Sequence, residues 1–215
     1  MAHYAMVINI DTCVGCNACM AACSQANQTP VWNSTKFRTY VHDEEFKKDG
    51  RWVRQFFPRL CNQCDNPPCV SVCPTGATWK EPSGPVRVNP EICMGCEACA
   101  QACPYDARYP IDSADVDRAK AYYGAEFLKR THPAVDKCDF CWDRLQQGLE
   151  PACVETCVAH ARIFGDLDKP DDLVSKIVAT DKAKTLLPEY LRVESEMLLR
   201  LPARDGTLCH ACHRF

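Results

Sequence analysis

A chain of 215 residues can form one generous domain or two small ones packed together, with a real interior. Its 25 Lys+Arg against 28 Asp+Glu lie near balance and give no general electrostatic case for nucleic-acid binding. No apolar run approaches the roughly 18–20 residues a membrane helix needs, and residues 1–10 carry no basic n-region, twin arginine or cleavage site, so neither a membrane anchor nor an export signal is expected.

In chain order, His3 to Ile10 alternates large apolar with smaller residues and predicts a strand. It leads into Cys13, Cys16, Cys19 and Cys23, spaced C-x2-C-x2-C-x3-C, with a short helix expected over Ala18–Ser24. Residues 27–57 form an insertion rich in charge (Lys36, Arg38, Glu44, Glu45, Lys47, Lys48, Arg51, Arg54) and aromatic rings (Trp32, Phe37, Tyr40, Trp52, Phe56, Phe57). A charged loop reads first as solvated surface, and the rings favour a docking surface as the alternative. Cys61, Cys64, Cys69 and Cys73 follow as C-x2-C-x4-C-x3-C and end on Pro74. Val86 and Val88 predict a second strand before Cys93, Cys96, Cys99 and Cys103, which repeat the first spacing and end on Pro104, with a short helix over Ala98–Gln101. A second insertion, 111–133, carries a predicted helix over Ala114–Arg130. The fourth group is stretched: Cys138, Cys141, Cys153 and Cys157. Of 18 cysteines, two remain, Cys209 and Cys212.

A C-x2-C-x2-C-x3-C-P run is the ferredoxin signature for cubane iron–sulfur clusters. Three cysteines on a tight loop reach three corners of one cluster, while the fourth, one helical turn on, points at another. Gly15 and Gly95, inside the first C-x2-C of their groups, supply the positive φ such a loop needs, and Pro74 and Pro104 end the helices. Structural zinc closes with four ligands, usually as separated pairs, and leaves recurring triplets unexplained. A disulfide framework fits triplets no better. Sixteen thiolates around four cores of about 2+ each shift the formal −3 to about −11, so the clusters themselves are expected to make up most of the core.

The order of the four groups, with "CNQCDNPPCVSVCPTGA" (residues 61–77), "CMGCEACAQACPYDARY" (93–109), "PACVETC" (151–157) and "FGDL" (164–167), resembles the electron-transfer subunits of molybdopterin oxidoreductases, the polysulfide reductase type most of all. The resemblance spans about residues 4–190. It implies an α+β fold of two ferredoxin-like halves with swapped cluster ligands, long insertions and a C-terminal extension. Residues 1–60 with 134–170 would form the outer half, 61–133 the inner half, and 171–215 the extension. It further implies four [4Fe-4S] clusters: one on Cys13, Cys16, Cys19 and Cys157; one on Cys138, Cys141, Cys153 and Cys23; one on Cys61, Cys64, Cys69 and Cys103; and one on Cys93, Cys96, Cys99 and Cys73. Asn62, Gln63, Arg108 and Lys137, which flank ligands, are candidate tuners of cluster potential. The implied partners are a molybdopterin catalytic subunit and a quinone-reactive integral membrane subunit, in a complex peripheral on the membrane with the periplasmic face favoured.

The tail departs from that family. Residues 186–201 carry leucines at amphipathic spacing, suited to a partner-packed helix. Cys209, Cys212 and His213 match the C-x2-C-H haem c attachment pattern, but only two residues follow His213, so a partner-docked tail is preferred to metal binding or haem. Relay subunits of formate dehydrogenases or hydrogenases and a stand-alone polyferredoxin are the competing readings; none of these has a catalytic residue on this chain.

Overall fold

The structure, a computed structural model, describes residues 2–180. The tail motif of Cys209, Cys212 and His213 and the expected helix over 186–201 lie outside those residues.

The first expected strand forms as β1, Tyr4–Ile8. Its partner is β8, Arg162–Asp166, antiparallel, with Met6 opposite Phe164. The described chain's first and last strands are therefore joined, which brings the first cysteine group to the fourth. Helix α7, Leu173–Ala179, closes the other face: Val174 packs on Ala5 and Val7, all three fully buried. Asp172 caps that helix by accepting from the Val174 N–H.

Helix α1, Ala18–Asn27, runs three residues longer than the sequence suggests, and ends where Gln28 adopts a left-handed conformation. The first insertion is a hairpin rather than a loop. Strands β2, Thr39–Lys48, and β3, Arg51–Leu60, pair over their full length around Asp49-Gly50. Both turn residues have positive φ, 49° and 78°, as a two-residue hairpin turn demands. One end of this ribbon is buried (Thr39, Phe57, Leu60), whereas Trp52 near its tip is exposed.

The remaining pairs are short: β4, Thr78–Lys80, with β5, Val86–Val88, and β6, Tyr109–Ile111, with β7, Ala134–Asp136. Between the latter lies α4, Ser113–Tyr123, opened by a capping box of Asp112 and Asp115. It stops well short of the expected Arg130 because Gly124, at φ 86°, breaks the chain into a single 3-10 turn over Ala125–Phe127. Three helices of one turn each carry a ligand-type cysteine, α2, Pro68–Ser71, α3, Ala98–Gln101, and α6, Ala152–Glu155, and a fourth, α5, Trp142–Leu145, starts directly after Cys141.

Every sheet among the described residues has two strands. Such pairs are marginal alone, so the core must hold them. That core is mixed: its main cluster interleaves Met6, Ile8, Ile10, Phe57, Leu60 and Phe140 with Cys19, Cys61, Cys138 and Cys153. The expectation of a core made mainly of clusters is thus modified, since a substantial apolar layer lies between the thiols. Among the described residues no helix is long and apolar enough to cross a membrane.

Candidate functional site

The sixteen cysteines of the four groups are all free thiols. Each group presents its sulfurs from a loop whose bends are fixed by left-handed residues: Gly15 and Asn17, Gln63, Gly95 and Glu97, Phe140 and Cys141. Helix packing then brings the groups together. Helix α1 lies against α6, and α2 against α3.

The outcome is four sets of neighbouring thiols. Cys13 lies beside Cys19 and Cys157, and these three with Cys16 line one partly open pocket. Cys23 lies beside Cys138, Cys141 and Cys153. Cys64 lies beside Cys61, Cys69 and Cys103. Cys99 lies beside Cys93 and Cys73. In each set the last cysteine of one group stands against the triplet of another. Only Cys16 and Cys96 are exposed; eight of the sixteen are buried.

Burial and crowding act on these thiols together. Burial, then the neighbouring sulfurs Cys61, Cys69 and Cys103, push the Cys64 thiol up to about 12. Cys153 rises to about 11, chiefly through burial, although Arg162 beside it pulls the other way. Cys23 and Cys138, both deeply buried, are raised well above the ordinary range by burial and by each other's set. Four thiolates this close are unstable without positive charge at their centre.

Backbone N–H groups already point at the sulfurs. The amides of Gln63 and Phe140 donate to Cys61 and Cys138 at 3.5 Å each, two residues on from the acceptor. The amides of Thr78, Ala107 and Ala161 donate to Cys73, Cys103 and Cys157 at 3.4, 3.5 and 3.2 Å. N–H donors aimed at sulfur are what a buried anionic cluster requires. Among the described residues no three His, Cys, Asp or Glu side chains converge on a point that could hold a single metal ion; ligands to the corners of a cube stand farther apart. The residues present fit [4Fe-4S] clusters.

The candidate tuners also have defined places. Gln63 is fully buried, its Nε2 donating to the Cys138 carbonyl and its Oε1 accepting from the Val86 amide, both at 2.8 Å. Asn62 is buried beside it. Arg108 donates to Cys69 Sγ at 3.0 Å. Lys137 is buried against the Gln63 side chain and the carbonyls of Val86 and Cys138. Two further residues join the site that the sequence reading does not single out. Asn27 points its Nδ2 at Cys23 Sγ and Cys141 Sγ, 3.5 Å each, and Arg162 donates to Cys153 Sγ at 3.7 Å. Asn27 stands one helical turn after Cys23, and Arg162 repeats the Ala-Arg of Ala107-Arg108, so both signals are present in the sequence.

Comparison with known proteins agrees with this site. A 4Fe-4S dicluster domain family matches residues 52–167, and a second family of the same description matches 12–77. The sequence is 35% identical to a polysulfide reductase component of Wolinella succinogenes, covering 94% of this chain and 96% of the relative. It belongs to the iron–sulfur (beta) subunits of the molybdopterin oxidoreductase family. A tetrathionate reductase component of Salmonella typhimurium is 41% identical over 87% of this chain and 68% of that protein. A selenate reductase component of Mesobacillus selenatarsenatis is 35% identical over 87% and 68%. Family membership gives this chain an electron-relay role, and these relatives are themselves components of reductases. Two dicluster domains together with sixteen cysteines imply four [4Fe-4S] clusters.

Proposed function

We propose that the chain carries electrons one at a time along a row of four [4Fe-4S] clusters. Cys13, Cys16, Cys19 and Cys157 would hold the first; Cys138, Cys141, Cys153 and Cys23 the second; Cys61, Cys64, Cys69 and Cys103 the third; Cys93, Cys96, Cys99 and Cys73 the fourth. The observation that carries this reading is the crossing of thiols: each group's last cysteine lies against another group's triplet. That crossing supports reading residues 1–60 and 134–170 as one ferredoxin-like half and 61–133 as the other, each bearing its insertion, with 171–215 as an extension.

A bound cluster supplies a one-electron couple that changes charge without making or breaking a bond to substrate. The protein's own residues bind it through sulfur, direct amides at those sulfurs and exclude water from the middle of the row. The ends are different. Cys16 and Cys96 are exposed, and beside them Val14 and Met94 show 58% and 66% of their surface. Exposed apolar side chains next to the terminal ligands support docking of a partner at each end. One partner would be the molybdopterin catalytic subunit. The other would be an integral membrane subunit exchanging electrons with quinone, placing the complex peripherally on the membrane. The outer, periplasmic face is proposed from the family resemblance.

The deciding experiment is anaerobic isolation of the complex with a tag on this chain. About sixteen irons per chain are expected, with reduced EPR showing interacting [4Fe-4S] signals, no oxidised three-iron signal, and both large partners present. Far fewer irons, or a chain that purifies alone from its native membranes, refutes the reading. Accessibility to protease in spheroplasts but not in inverted vesicles tests the side of the membrane.

A further inference from the structure

Three buried cations stand apart from the other basic residues. Arg38 and Arg130 are matched by Asp136, and Arg38 also by Asp139. Arg108, Lys137 and Arg162 are buried to a similar degree, yet among the described residues none pairs with a carboxylate. A buried cation needs a compensating negative charge close by. What faces these three is sulfur.

Arg108 and Arg162 owe their placement to a repeated turn. Arg108 comes five residues after Cys103, and Arg162 five after Cys157, each preceded by Ala. In both turns the residue before that Ala is left-handed, Asp106 at φ 50° and His160 at φ 48°. The bend aims the Ala amide at the cysteine sulfur and sends the arginine inward. Arg108 donates to Cys69 Sγ at 3.0 Å and to Thr78 Oγ1 at 3.3 Å, and lies beside Cys61 and Cys99. It therefore touches the third and fourth thiol sets. Arg162 donates to Cys153 Sγ and, at 2.7 Å, to Thr39 Oγ1; Cys19, Cys23 and Cys138 are also near. It bridges the first and second sets. Lys137 is near both Cys69 and Cys138, one thiol of the third set and one of the second. Its Nζ has three oxygen acceptors, Gln63 Oε1 and the Val86 and Cys138 carbonyls, matching the three donors of an ammonium group.

We propose that Arg162, Lys137 and Arg108 are positioning residues of the relay, one fixed positive charge at each joint of the row, each raising the reduction potentials of the two clusters it separates. The proposal rests on the ligand sets given above. One electron passes each joint; no bond forms or breaks and no proton moves, because the cation is charged before and after. Without these charges the added electron would enter sites already rich in thiolate, and the interior steps would become uphill.

Redox titration of the intact complex followed by EPR, with iron measured on each sample, tests this. Arg108→Gln should lower two of the four one-electron steps, each by at least tenfold in its reduction equilibrium, which is about 59 mV for one electron. Arg162→Gln should lower the other two. Lys137→Gln should lower one from each pair. Arg108→Lys and Arg162→Lys, which keep the charge, should stay near the native potentials. Iron-replete glutamine variants with four unaltered steps, or with all four steps moved alike, overturn the proposal. Where a glutamine variant loses iron, the charge-keeping variant at that joint (Arg108→Lys, Arg162→Lys or Lys137→Arg) decides: native potentials support the charge, and a tenfold drop refutes it. If the unsubstituted complex itself lacks four one-electron steps, it is the four-cluster reading that fails instead.

Discussion

The ring of Phe56, on strand β3, occupies the space that a side chain on Gly15 would fill. The hairpin insertion is thereby seated directly on the first ligand loop. Gly95, at the same place in the third cysteine group, has nothing near it. Both glycines need positive φ, 68° and 70°, so alanine at either position costs roughly 1–2 kcal/mol of backbone strain. Only at Gly15 does a collision with the Phe56 ring add about 1–3 kcal/mol more. Gly15→Ala should therefore lower the anaerobic denaturant midpoint clearly more than Gly95→Ala. Equal losses would mean that the hairpin is not anchored there.

A second anchor is the paired contact of Arg38 with Asp136, Nε to Oδ2 at 3.1 Å and Nη2 to Oδ1 at 2.9 Å. Tyr109 and Arg130 complete the site around the same carboxylate, at 2.7 Å each. Burial alone would raise the Asp136 carboxyl, but Arg130 and then Arg38 hold it well below the usual range. Asp136→Asn leaves Arg130 without its charge partner and Arg38 with Asp139 alone. Breaking a buried pair from one side costs about 3–5 kcal/mol. The expected result is a matching fall in stability by denaturant titration. A single variant that unfolds like the parent would show that the pair is more hydrated than its burial implies.

The cysteine spacing makes the ligand loops legible because it encodes a local geometry: a tight bend, three sulfurs, one helical turn. Strand β1 and helix α3 are legible for the same reason, being short and next to those loops. The hairpin of residues 39–60 is hidden by its composition. Its charges suggest solvent and mask Asp49-Gly50, the turn signal that marks it. The expected span of helix α4 is too long because helical spacing continues past Gly124, where the backbone itself stops. Asn27 and Arg162 are hard to see for a different reason. Their role depends on sulfurs met through packing, Cys141 and Cys153 respectively, and packing of α1 on α6 and of α6 on β8 brings those contacts about.

Asn27 yields a third prediction. Its amide nitrogen faces two sulfurs of one thiol set, and its Oδ1 accepts from Arg38 Nη1 at 2.8 Å. An amide donating to sulfur stabilises the more negative, reduced state. Asn27→Leu keeps the volume and removes the donor. One of the four reduction steps should fall, by no more than about 59 mV, a tenfold change in its equilibrium. The other three should hold. EPR-monitored titration reads this directly, and a shift spread across all four steps would point to general loosening of the fold instead.

Removal of iron is the most severe perturbation available. The one-turn helices α2, α3 and α6 carry one thiol each and α5 follows directly on Cys141, while each sheet among the described residues offers only one partner strand. Stripped of metal, the crowded buried thiols lose the positive charge that binds them together, and the far-UV spectrum should lose much of its amplitude on chelation. The thiols also dictate how this depends on pH. In the folded chain Cys64 and Cys153 are raised to about 12 and about 11, while unfolding returns them to about 8.5. The folded form therefore holds protons that the unfolded form releases, and this contribution is present below about pH 8.5 and lost as pH rises towards 11 and 12. Iron-free chain should accordingly retain less ellipticity at about pH 10 than at about pH 7. Iron-loaded chain, whose thiolates are already deprotonated on metal, should show little difference over that interval. An iron-free chain that keeps the loaded spectrum at both pH values would mean that the apolar layer of Met6, Ile8, Phe57 and Phe140 suffices to hold the fold without its clusters.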